Sequence, residues 1–183
     1  MISPIGRLDV DRGFVEHLGK EIRAVFGYQT DIRPLLDEKD LWADPVRKQY
    51  HSTPILDTLA MISPPEAIKV LAITKVDLFI PILTHVYGEA QLGGKACILS
   101  TYRFSEGLAP AAEILRDRIF KEAIHELGHT FNLRHCRDAS CVMHYCRGVG
   151  EVDRKSNQFC RYCAVLLQDE MKRLAKEPVS SKQ

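Results

Sequence analysis

No run of apolar residues in this 183-residue chain approaches the roughly 20 needed to span a bilayer, so no membrane segment is read. A charge imbalance is missing too. Lys+Arg 25 against Asp+Glu 24 leaves a formal net charge of +1, which argues against nucleic acid or an anionic membrane as a partner. The stretch Met1 to Arg7 lacks a basic region followed by a long apolar run, so no signal peptide is read and the cytoplasm is the expected location. There the six cysteines read first as thiols or metal ligands, before disulfides. Internal repeats and low-complexity segments are absent, and only the tail from Glu177 onward reads as frayed. What is present, 45% hydrophobic and 27% charged residues, suits one soluble domain able to build a core without disulfides.

Ile2, Ile5 and Leu8 suggest a first strand, broken by Pro4 and Gly6. Phe14, Leu18, Ile22, Val25 and Phe26 recur at helical spacing, with Asp11 as N-cap and Gly27 as stop. A strand is expected near Tyr28 to Pro34, irregular chain from Leu35 to Ser52, and a helix from Pro54 to Ile62 ended by Pro64-Pro65. Lys69 to Thr74 reads as a buried strand, and Asp77 to Leu83 as loop with a possible strand. Thr84 to Leu92 and Ala96 to Thr101 read as two strands joined through Gly93-Gly94. His17 and His85 have no partner at ligand spacing and read as structural, and Cys97 as a small buried hydrophobe. From Pro110 to about Phe131 runs the longest helical pattern, with Ile119, Ala123 and Leu127 as its apolar stripe.

That helix carries His125-Glu126-Leu127-Gly128-His129, and His135 follows six residues later. Histidines one helical turn apart present both imidazoles on one face and can share a metal ion. His135 completes a three-nitrogen set, which leaves a fourth tetrahedral position of zinc to water, the arrangement of a catalytic site. Glu126 is the expected general base: zinc lowers the pKa of water, the carboxylate takes the proton, and the leaving amine later receives it. Cys136 and Cys141, with Cys160 and Cys163, are paired thiols at the spacing of a closed, structural four-cysteine zinc site. A lone C-x-x-C also suits a redox pair. Two Zn2+ per chain are expected, one catalytic and one structural. Cys146 is left as an inert thiol, and His144 is expected to point away from the metal.

The run HELGHTFNLRHC-x4-C-x-M, followed after sixteen residues by CRYC, resembles the archaemetzincin family of zinc peptidases, in the metzincin clan. Pro4-Ile5-Gly6, Gly88-Glu89-Ala90 and Asp153-Arg154 are similar too, so the resemblance covers most of the chain. It implies an α+β, zincin-like fold: a twisted mixed β-sheet with helices, an active-site helix at the cleft, and a small C-terminal part holding the four-cysteine zinc. The single metallopeptidase domain, 1–183, would divide into an upper subdomain, 1–131, and a lower one, 132–183. Met143 matches the family's methionine turn beneath the histidines. Asn132 stands where metzincins usually have glycine, at a turn needing left-handed dihedrals that asparagine tolerates. Tyr145 resembles a tyrosine that assists the oxyanion in some metzincins, and a packed side chain explains it equally well. An edge strand bordering the cleft would bind substrate by strand pairing, and Thr84 to Leu92 is the candidate.

The function expected is therefore a zinc-dependent metallopeptidase, a monomer acting on peptide or protein substrates, with endopeptidase and aminopeptidase action both open. The alternative is a zinc-stabilised binding module whose hydrolase site is weak or inactive.

Overall fold

The computed structural model describes residues 1–108 and 112–176; Pro110 and the tail from Glu177 lie outside the described residues. The principal sheet has four strands in the order β1-β4-β7-β6: β1 (Ile2–Pro4), β4 (Val70–Thr74), β7 (Ala96–Ser100) and β6 (Gly88–Ala90). The first three are parallel, and β6 runs antiparallel to β7 at the edge. A second, three-stranded sheet joins β2 (Ala43–Asp44), β3 (Gln49–His51) and β5 (Leu78–Phe79). Fold class is mixed α+β, with helices over both faces of the principal sheet.

Burial on two faces explains why the central strands read as unbroken apolar runs rather than alternating ones. Leu71, Ile73, Cys97 and Leu99 face α1 (Arg12–Phe26) and α4 (Glu113–Thr130), while Ala72, Ala96 and Ile98 face α2 (Ser52–Ile62). The α1 caps are as the sequence predicts. The Asp11 carboxylate accepts from the Phe14 amide at 2.8 Å, and Gly27 closes the helix at φ 75°. Lys69 and Cys97 are buried, and His17 is exposed.

Five expectations need correction. Of Thr84 to Leu92 only Gly88–Ala90 is strand, with Val86 in a lone bridge to Leu78 that turns the preceding chain towards the second sheet. Tyr28 to Pro34 is no strand but an extended segment touching β1 through a single Ile2–Ile32 bridge, because its exposed residues give it only one face to pair. Leu35 to Ser52 is not wholly irregular: Asp37 and Asp40 cap a short 3-10 turn at Glu38–Asp40, and β2 and β3 follow. The long helix begins at Glu113, with Ala112 as its N-cap in extended conformation. Three helices went unread: α3 (Tyr102–Ser105), α5 (Val149–Arg154) and α6 (Arg161–Lys176). Of these, α3 and α5 pack on α4, where Arg118 donates to the Phe104 carbonyl and to Asp153, and Lys121 donates to the Val152 carbonyl.

Candidate metal centre and cleft

The last two turns of α4 project His125, Glu126 and His129 towards a cleft of about 630 Å³ walled on one side by β6. Helix α4 ends at Thr130 with Phe131 as its C-cap, and Asn132 takes φ 64°, the left-handed conformation that turns the chain towards His135. Its side-chain amide donates to Glu170 of α6 at 2.9 Å, which holds the turn. One ligand atom from each of His125, His129 and His135 can be chosen so that all lie within 4.8 Å of one another.

The hydrogen bonds decide which nitrogens are free. His125 Nδ1 lies 2.8 Å from the Val142 carbonyl, and His129 Nδ1 lies 2.7 Å from the Leu133 carbonyl. A carbonyl only accepts, so each Nδ1 carries the proton and each Nε2 presents a lone pair. Those two Nε2 atoms are 3.1 Å apart. Lone pairs facing at that distance need a cation between them, and tetrahedral zinc with Zn–N near 2.0–2.1 Å would set them about 3.3 Å apart. Burial lowers the pKa of all three histidines, His129 to about 4, so they are neutral ligands at physiological pH. The donor set fits zinc.

The cysteines fit as well. Cys136, Cys141, Cys160 and Cys163 bring their sulfurs within 4.8 Å of one another, and all are free thiols. Cys136 Sγ to Cys160 Sγ is 3.8 Å, about the edge of a tetrahedron with Zn–S near 2.3 Å. Cys146 is not among them; it lies in the cleft wall, its thiol directed at the His144 carbonyl at 3.6 Å. His144 is turned to the Cys136 carbonyl at 3.0 Å.

One short segment serves both clusters. Cys141 gives a sulfur, Val142 gives the carbonyl that orients His125, and Met143 is fully buried beneath α4. The Cys136 amide donates to the Met143 carbonyl at 2.9 Å, so the segment also steadies the neighbour of His135. Tyr145 is half exposed, with its ring centroid 5.1 Å from that of His135.

Two further residues of the site escape a motif-based reading. Glu122 is buried one turn before Glu126, and burial first, then this neighbouring acid, push the Glu126 carboxyl upward. The i, i+4 spacing of the two glutamates is visible in the sequence. Lys155, at 2% exposure, brings Nζ within 3.5 Å of His125 Nδ1 and faces both carboxylates. Nothing local marks it, since it reaches the site from beyond α5.

The model of Peptidase family M54 matches residues 22–169. The chain belongs to this family. Among its M54 relatives, the archaemetzincin of Methanopyrus kandleri is 44% identical over 128 residues, covering 70% of this chain and 71% of that protein. The archaemetzincin of Methanocaldococcus jannaschii is 37% identical over 171 residues, 92% of each. In three dimensions the crystal structure of the M. kandleri archaemetzincin superposes with a TM-score of 0.83 at 35% identity, covering 94% of this chain and 95% of that one. The Archaeoglobus fulgidus archaemetzincin, complexed with malonate, gives 0.74 at 34% identity, covering 90% and 97%. M54 membership makes the chain a zinc metallopeptidase that acts on peptide substrates. Among the described residues, no helix is long and apolar enough to cross a membrane.

Proposed function

We propose that His125, His129 and His135 hold the catalytic zinc of this peptidase, that Glu126 is its general base, and that the four cysteines hold a second, structural zinc. The observation that carries the reading is the pair of unprotonated Nε2 atoms 3.1 Å apart beside a buried carboxylate. The bound ion supplies Lewis acidity, lowering the pKa of water and polarising the scissile carbonyl. Glu126 takes the proton from the attacking water on a carboxylate oxygen and passes it to the leaving amine nitrogen. Tyr145, whose ring lies beside that of His135, donates its hydroxyl to the developing oxyanion in this reading. Met143 supports the histidines from below, and Asn132 makes the turn between the second and third.

Substrate pairs with β6. Tyr87, Glu89 and Gln91 face β7 in the hydrogen-bonded positions of the ladder, so the amides and carbonyls of Gly88 and Ala90 point outward to the open edge. An extended peptide adds there as a further strand. The described residues up to 131 form the half above the cleft and 132–176 the half below, in one domain. The six free thiols suit the cytoplasm, and the reading takes the enzyme as a monomer. Digestion of a peptide library, read by mass spectrometry, tests the function. Cleavage lost to a chelator and restored by zinc is expected, and the fragment ends separate endopeptidase from aminopeptidase action. An untouched library on fully metal-loaded protein would favour the binding-module reading.

A further inference from the structure

Gly88 lies on β6 directly against the proposed base. A Cβ at residue 88 would stand 2.7 Å from Glu126 Cγ, 2.7 Å from Oε1 and 2.8 Å from Cδ. Real Cβ atoms do not approach other atoms so closely, so any larger residue must displace the whole carboxylate arm. Glu126 has little room to yield: it is 4% exposed, with the buried Glu122 one helical turn before it. Gly88 is not among the positive-φ glycines, so backbone freedom does not explain its presence. Space does. The backbone groups of Gly88 point outward to the edge where substrate would pair, while its Cα roofs the carboxylate. One residue thus borders both the open edge proposed for substrate and the side chain of Glu126.

We infer that Gly88 is a positioning residue: its lack of a side chain seats Glu126 beneath the paired substrate strand. The inference rests on the proposal that Glu126 is the base. In Gly88→Ala the arm is pushed aside while the metal ligands are untouched. Zinc content is expected to hold, KM to change little, and kcat to fall roughly 10- to 100-fold, the usual scale for a misplacement near 1 Å.

A mutant cycle with Glu126→Ala separates this from general disruption, because removing the arm vacates the space that the new Cβ needs. The melting-temperature loss caused by Gly88→Ala should appear with Glu126 present and disappear in the Glu126→Ala background. An equal loss in both backgrounds overturns the inference, as does a kcat for Gly88→Ala within twofold of wild type. Turnover surviving in Glu126→Gln would instead overturn the base assignment, so the two failures are told apart.

Discussion

Met143 packs so close beneath α4 that a Cβ on Gly128 would lie 2.5 Å from its Sδ and 3.1 Å from its Cε. Gly128 stands between Glu126 and His129, so the methionine sets the height of the helical turn that carries both. Gly128→Ala overpacks this contact. It should destabilise the protein by about 1–3 kcal/mol in urea denaturation and weaken zinc binding at the histidines. Stability within about 0.5 kcal/mol of wild type would mean that the contact does not constrain the helix.

The four-cysteine cluster is coupled to the histidines through Cys141-Val142-Met143. The Cys160 amide donates to Cys141 Sγ at 3.3 Å, and the next carbonyl along, Val142, orients His125. Cys160→Ser should therefore release the zinc proposed at the cysteines and weaken the histidine site as well, by roughly 10- to 100-fold, the scale of losing an outer-shell partner. Zinc titration with competing chelators measures both sites. Unchanged affinity at the histidines after loss of the cysteine-bound ion would refute the coupling.

Arg118 of α4 and Asp153 of α5 form a two-pronged ion pair, with Nε to Oδ1 at 2.7 Å and Nη2 to Oδ2 at 2.8 Å. The Arg118 hydrogen bonds hold the Asp153 carboxyl below its usual range. A depressed carboxyl pKa contributes stability that is present above the unfolded value, near 3.9, and lost as pH falls through the folded value. Asp153→Asn should thus cost about 1–2 kcal/mol at pH 7, discounted for partial exposure, and the gap from wild type should close below about pH 4. Thermal melts across pH 3–7 check the sign.

Ala90 offers its amide outward from β6, where proline is tolerated because no ladder bond is lost. Ala90→Pro should fold normally and raise KM several-fold, about the net value of one hydrogen bond. An unchanged KM would speak against strand pairing at this edge.

The parts of this molecule that were legible in the sequence are those set by local pattern. Asp11 and Gly27 bound α1 from their own cap chemistry, and the histidine spacing on one helix puts His125 and His129 together. Asn132, the non-glycine choice for a left-handed turn, takes φ 64°. What stayed hidden depends on tertiary packing. Cys163, Leu167, Met171 and Leu174 make a helical stripe for α6, which a reading centred on the zinc motifs passes over. Lys155 reaches the site from 30 residues past His125, and Gly88 matters only because Glu126 fills the space beside it. No propensity or spacing encodes such contacts.

The central claim is that Glu126 moves the proton while the three histidines hold the metal. Glu126→Gln keeps size and shape but removes the base, and zinc content and peptide hydrolysis should be measured on the same sample. The account predicts two zinc ions per chain, as in wild type, with turnover reduced at least roughly 100-fold. Turnover near the wild-type rate in zinc-loaded Glu126→Gln would contradict it.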